Sequence, residues 1–254
     1  MAISEDQRAR TLARFEAHRQ VWDTNPALRA LYGDWYGRVA AALPAASVGP
    51  RLELGSGPGF ARRFIPDLQL SDVVRAPWHD HEVSADAIPF GDVSLGALVL
   101  FDVLHHLADP RRFFYEAARV LRPGGRIVLC EPYIGPLSYP VYKLFHDEPI
   151  DLGVDPLAPA ASPVDGRDPF DANQAIPSLL FGRRRRLFND AFPGLALAEL
   201  EHLSGLSYPA SGGFSRGPLL PAPLWSALHR LESRLPPSVF RLIGFRMLVV
   251  IDRR

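Results

Sequence analysis

A single cysteine stands in 254 residues, Cys130, inside the apolar run RIVLCEP. No internal disulfide can form, which excludes a disulfide-stapled scaffold, and the expected role of the thiol is that of a small buried hydrophobe. Net charge is missing as well: 28 basic and 28 acidic side chains cancel. A global attraction to nucleic acid or to an anionic membrane is thereby removed. No stretch approaches ~18 consecutive apolar residues, so no transmembrane helix is expected. The opening MAISEDQRARTLARFEAHR is charged throughout and lacks an apolar core of signal-peptide length. A soluble cytoplasmic protein is the expectation. Lysine is almost absent, Lys143 being the one example; beside so much alanine and proline this reflects base composition more than a role for arginine.

What is present is material for one large domain with a sizeable core, 47% of it hydrophobic. Residues 5–43 read as helical, with Leu28, Leu31, Trp35 and Val39 at helical spacing and a break at Asn25–Pro26. Strand and helix signals then alternate. The segment LELGSGPGF (52–60) is a strand running into a glycine loop, and FARRFIPDL is a short helix. LQLSDVV is a strand, HEVSADA a brief one, and SLGALVLFDVL suits a central parallel strand. DPRRFFYEAARVL is an amphipathic helix stopped at Pro123-Gly124-Gly125, followed by the strand GRIVLCEP. Such alternation predicts a parallel sheet covered on both faces. Residues 132–190 turn proline- and aspartate-rich, with DPLAPAASPVDGRDPFD as a long loop and SLLFGRRRRLFNDAF as a helix whose four arginines form a solvated face. The tail supplies two strands, LALAELEHLSGLSYP and GFRMLVVIDRR, around the helix APLWSALHRLESRL. The last strand is expected at the sheet edge.

In an open parallel sheet ligands collect at the carboxyl ends of the strands, which puts Glu53 and Gly55, Ser56, Gly57 and Gly59 at a site. A nucleoside-triphosphate loop would end in Gly-Lys-Ser/Thr, absent here. A dinucleotide fingerprint needs a third glycine where Phe60 stands, and its pyrophosphate would gain nothing from the Glu53 carboxylate. A cationic ligand would.

ELGSGPG resembles the first motif of the class I S-adenosylmethionine-dependent methyltransferases, of the small-molecule, ubiquinone/menaquinone-biosynthesis type. SADAIPF (84–90), FDVLHHLADP (101–110) and EAARVLRPGGRIVLCEP (116–132) resemble that family's later motifs, in order, over about a third of the chain. The resemblance implies an α/β fold: a Rossmann-like, doubly wound, seven-stranded, mostly parallel sheet with an antiparallel last strand. Around it would come an N-terminal helical cap (1–45), a cofactor core (48–135), a substrate lid (136–190) and C-terminal strands and helix (191–254), all in one domain. It also implies S-adenosyl-L-methionine as cofactor. Glu53 would orient its amino-acid end beside the glycine loop, Asp72 would accept from the ribose hydroxyls, and Asp86 from the adenine amino group. The Ala87 and Ile88 backbone would flank the ring, with Trp78 or Ile88 as a wall and Asp102 at the end of the fourth strand. Only 14 residues separate Asp72 from Asp86, a loop or single turn in place of the usual second crossover helix.

Methyl transfer from a sulfonium needs alignment first and a base only if the acceptor must lose a proton. His105 and His106 after the fourth strand, and His146 beside Asp147 and Glu148, are the candidate bases. Of the N-terminal aromatics Trp22, Tyr32, Trp35 and Tyr36 that could cap the pocket, Tyr32 and Tyr36, with a polar tip, are the ones expected at the site. His79-Asp80-His81 invites a metal, but no partner cluster is evident and none is expected. The implied partner is a small-molecule methyl acceptor whose reacting atom the sequence does not reveal, with a homodimer left open and neither nucleic acid nor membrane insertion expected. The lid would come from 149–170 and 205–217. Two other readings compete: a catalytically silent scaffold of the same fold, and a Rossmann-type NAD(P) oxidoreductase.

Overall fold

The computed structural model describes residues 3–158 and 168–254. Part of the long loop expected over 155–171 lies outside them. Seven strands form one sheet: β1 (Arg51–Leu54), β2 (Leu68–Asp72), β3 (His81–Glu82), β4 (Leu95–Phe101), β5 (Leu121–Pro132), β6 (Leu195–Leu203) and β7 (Arg246–Arg253), in the order β3-β2-β1-β4-β5-β7-β6. The first five are parallel, and β7 runs antiparallel to both β5 and β6. The Rossmann-like class expected from the sequence is the fold observed. One strand needs correction: β7 is interior, and β6 holds the edge. The reason is legible in burial, since β7 is buried on both faces from Arg246 to Ile251 while β6 is half-exposed along most of its length.

β4 shows how the sheet makes two cores. Leu98 and Leu100 point to one face with Leu52, Leu54, Ile127 and Leu129, where the helix α3 (Pro110–Val120) packs through Phe113, Phe114 and Ala117. Ala97, Val99 and Phe101 point to the other, where α2 (Pro26–Ala42) lays down Leu28, Leu31, Trp35 and Val39. Thus α2 is a covering layer of the sheet rather than only a cap over its end. It takes up surface left bare because no helix joins β1 to β2 or β2 to β4. The short helix expected after the glycine loop is one 3-10 turn, Ala61–Arg63, hemmed in by Gly59 before it and Pro66 after it. The helix expected over 178–192 is interrupted by a π turn at Leu179–Arg183 before Arg185–Ala191.

The N-terminus is positioned by its caps. Ser4 and Gln7 form a reciprocal capping box on α1 (Glu5–Thr24). Asn25 ends α1 and begins α2: its Oδ1 accepts from the Leu28 N–H at 3.1 Å, and Pro26 takes the first helical position. Asn25 Nδ2 also donates to the Ser211 carbonyl at 2.9 Å, tying this corner to the C-terminal segment. Among the described residues no helix is long and apolar enough to cross a membrane.

Candidate active site

The order in which strands are added to the sheet reverses between β1 and β4, and at their carboxyl ends opens a cavity of about 830 Å³. Its floor is the loop after β1, where Gly55, Gly57 and Gly59 have φ of +68°, +48° and +76°. Gly55 has no room for a side chain, because a Cβ would come within 2.4 Å of Val103. At Gly57 a Cβ would meet nothing closer than Phe15 at 3.6 Å, so that position is kept bare toward open space. The loop is braced from behind: Trp78 Nε1 and His79 Nε2 each donate to the Gly57 carbonyl at 2.8 Å. His79 Nδ1 accepts from the Ala76 N–H at 3.1 Å, the pattern of a neutral ring, and burial lowers its pKa in the same direction. His81 is turned to Gln69 instead, at 2.8 Å. The His79-Asp80-His81 triplet therefore fastens the loop, with Asp80 accepting from the Leu70 N–H at 2.8 Å and from Arg62.

Asp72, buried at the end of β2, accepts from the Gly57 N–H at 3.0 Å and the Val74 N–H at 3.1 Å, one on each oxygen. A carboxylate oxygen has a second lone pair, so both can accept again. Ser56 is spent on structure, its Oγ accepting from the Ser71 N–H at 3.1 Å. Asp86 lines the cavity and accepts from Ser84 Oγ. Ala87 and Ile88, expected beside a bound ring, lie outside the lining: Ala87 is exposed, and the Ile88 N–H is taken by Glu116 at 2.9 Å. Val83 and Ala85 line the wall in their place. Neither Gly59 nor Trp78 reaches the cavity; a Cβ on Gly59 would lie 2.5 Å from the Trp78 ring, so each blocks the other.

Glu53 lies beneath this floor, 1% exposed. Its Oε1 accepts from the Tyr36 hydroxyl at 3.4 Å, and Oε2 is buried without a partner. Burial pushes its pKa up to about 7, against the pull of Ser56 and Tyr36. Tyr32 and Tyr36 line the cavity with Phe101 between them. On α1 sequence reasoning missed Thr11, Arg14, Phe15 and His18, which line the cavity, while Trp22 of the same helix is buried outside the lining. Sequence reasoning also overlooked Arg246. This guanidinium is 2% exposed, ion-paired to Asp102 at 2.5 Å, and lies 4.9 Å from the Trp35 ring and 5.4 Å from that of Phe101. Asp102 itself sits at φ +57°, a left-handed conformation that aspartate tolerates.

The far wall holds the histidines. His105 and His106 share a 3-10 turn after β4, their rings 4.2 Å apart. His105 Nδ1 meets Glu131 Oε2 at 2.6 Å, and Glu131 Oε1 accepts from the Val103 and Leu104 N–H groups at 2.9 and 2.7 Å. Glu148 approaches from the other side, 3.5 Å from His105 Nε2 and 3.9 Å from His106 Nε2. Burial would lower the His105 pKa, but the two carboxylates override it and raise it to about 10. Burial, aided by the His105 cation, lowers His106 to about 4. The carboxylate expected to orient His146 is thus turned to its neighbours: Glu148 is 4.0 Å from His146 Nδ1, which accepts from Gln174 at 2.9 Å. His146 is the most exposed of the three and stands at the rim.

Residues 52–129 match a family model described as a methyltransferase domain. The match covers less than a third of the chain. The matched segment carries the loop, Asp72, Asp86, Asp102 and both adjacent histidines; His146, Glu148 and Arg246 lie beyond it. The chain is 38% identical over 60 residues to a demethylmenaquinone methyltransferase of Tropheryma whipplei, 23% of this chain and 25% of that protein. It is 47% identical over 51 residues to the protein of the same name from Clavibacter sepedonicus, 19% of this chain and 21% of that one. The chain therefore spans about a quarter of the length of the curated relatives it matches. Among solved structures, a geranyl diphosphate C-methyltransferase from Streptomyces coelicolor resembles 93% of this chain over 84% of its own, at 14% identity and a TM-score of 0.46. The donor set fits the cofactor of the methyltransferase family, S-adenosylmethionine: a bare glycine facing open space, two carboxylates with acceptor capacity to spare, and the unpartnered Glu53 oxygen.

Proposed function

We propose that the chain is a methyltransferase that moves a methyl group from S-adenosylmethionine to a small, largely apolar acceptor. The observation that carries this is a single cavity whose lining joins two chemically different groups: Gly57, Asp72 and Asp86, and a set of aromatic rings with His106 and His146. S-adenosylmethionine, when bound, supplies a methyl group already activated on a sulfonium. The protein's task is then to hold, align and exclude water.

Asp72 would accept from the ribose hydroxyls, Asp86 from the adenine amino group, and the Glu53 carboxylate would favour the cationic amino-acid end. Tyr32, Tyr36 and Phe101 line the same cavity with neighbouring rings, and aromatic rings suit a sulfonium. The acceptor would lie against Tyr142, Phe145, Phe170 and Tyr208, all in the cavity lining, which suit an apolar or aromatic body. His106 and His146 line the same cavity and would be the polar groups nearest that body. His105, held between two carboxylates, positions the turn rather than taking a proton.

Calorimetric titration with S-adenosylmethionine, S-adenosylhomocysteine and NADH tests the cofactor. Incubation of methyl-labelled S-adenosylmethionine with a panel of phenols, quinols and isoprenoid alcohols tests the transfer. Binding of the first two ligands alone, with label in an apolar acceptor, is expected. NADH binding without S-adenosylmethionine binding would replace the reading with an oxidoreductase; binding without any transfer would favour a silent scaffold.

A further inference from the structure

His105, His106 and Glu148 form a second constellation. Each offers one ligand atom, and these atoms all lie within 4.8 Å of one another. The two contacts to Glu148 measure 3.5 and 3.9 Å. A tetrahedral ion with bonds of about 2.0–2.1 Å sets its ligand atoms roughly 3.3 Å apart, so a modest contraction closes the site.

What distinguishes this group from a chance cluster is its outer layer. Glu131 holds His105 through Nδ1 at 2.6 Å, leaving Nε2, 3.5 Å from Glu148, as the nitrogen that would release its proton to solvent when an ion binds. The Asp171 carbonyl lies 3.4 Å from His106 Nδ1, leaving Nε2 of that ring to face the same carboxylate. Gln174, 1% exposed, donates to Glu148 at 3.0 Å, and its own Oε1 is buried without a partner. An imidazole anchored at one nitrogen by a carboxylate or backbone carbonyl is the arrangement that metal-binding histidines adopt, and it fixes the tautomer and aim of the other nitrogen. All three first-layer side chains line the cavity, so a further coordination position opens into it.

We propose that His105 Nε2, His106 Nε2 and the Glu148 carboxylate bind one divalent transition-metal ion with a coordination position open to the cavity. Two imidazole nitrogens and one carboxylate select zinc, cobalt or ferrous iron over magnesium or calcium, which take oxygen ligands. The site would hold an acceptor oxygen in the open position; that role rests on the methyl-transfer reading, whereas the metal site itself does not. No metal was expected from the sequence, because no partner cluster accompanies the triplet at 79–81, and in the fold its two histidines bond to Gly57 and Gln69.

The test is cobalt(II) titration of chelator-stripped protein, followed by visible absorption and repeated with zinc(II) as competitor. A saturable ligand-field band at one equivalent is expected, displaced by zinc and weakened at least tenfold in His106→Ala and in Glu148→Gln. The band should persist in His146→Ala, a neighbour outside the ligand set. In parallel, zinc should raise the Tm of the wild type and of His146→Ala but leave folded Glu148→Gln unmoved. Absence of a saturable band in folded wild type, or an undiminished band in both ligand variants, would overturn the proposal whether or not the protein transfers methyl groups.

Discussion

Glu53 offers a test in which the sign and size of an effect follow from burial alone. Its carboxyl group is 1% exposed, one oxygen accepts only a long bond from Tyr36, and the other has no partner. The folded protein therefore holds the Glu53 proton up to about pH 7, against an ordinary value of 4.5, with burial the largest cause. Between those two values the native state binds a proton that the unfolded chain has released. Stability must fall as pH rises through that window and level off above it. A shift of that size corresponds to about 3 kcal/mol. Urea unfolding of wild type and Glu53→Gln at pH 4.5, 6 and 8 isolates the effect, because only the wild type carries the ionising group. The stability difference between the two proteins should move by about 3 kcal/mol in favour of the glutamine variant as pH rises. S-adenosylmethionine affinity should run the opposite way in the wild type, weakening as pH drops below 7, and should be flat in Glu53→Gln. Parallel stability curves for the two proteins would refute the placement of Glu53 as a buried, poorly satisfied acid.

Three further outcomes follow from individual contacts. Gly57→Val should lower S-adenosylmethionine affinity at least about tenfold in a titration, since φ of +48° costs a valine ~1–2 kcal/mol and its side chain enters the ligand's space; the unfolding curve should show the protein still folded. Glu131→Gln, which removes the charged partner of His105, should cost about 2 kcal/mol in urea unfolding, whereas Glu148→Gln at the more open side should cost less than about 1 kcal/mol. Arg246→Met should cost about 3 kcal/mol by stranding the Asp102 carboxylate; adding Asp102→Asn, which keeps the φ > 0 conformation accessible, should recover most of it in a double-mutant cycle.

The fold was legible because its signals are local. The apolar runs of β4 and β5, the Asn25–Pro26 break and the glycine loop each announce themselves within a few residues. Interior β7 was legible too, had the unbroken run Met247–Ile251 been set against the alternating pattern of β6. The site was legible only where it is sequential. The pairing of His105 with Glu131 joins the ends of adjacent strands, and it follows from the register that sets Phe101 beside Cys130, which no spacing in the sequence reveals. Arg246 left one trace, a lone guanidinium inside an apolar strand, which calls for a buried partner. The parts that lie far apart in sequence, α1 as a wall and Glu148 as a neighbour of His105, required the folded chain. Glycine and acid motifs mark where a cofactor would lie; the proposed acceptor site is built from tertiary contacts and has no motif to read.

The most direct measurement is a crystal structure of the protein with S-adenosylhomocysteine. The ligand should lie across Gly55–Gly59 with its ribose hydroxyls on Asp72, its adenine beside Val83 and Asp86, and its sulfur facing the side of the cavity that holds His106 and His146. A ligand bound elsewhere, or with its ribose away from Asp72, would contradict the account.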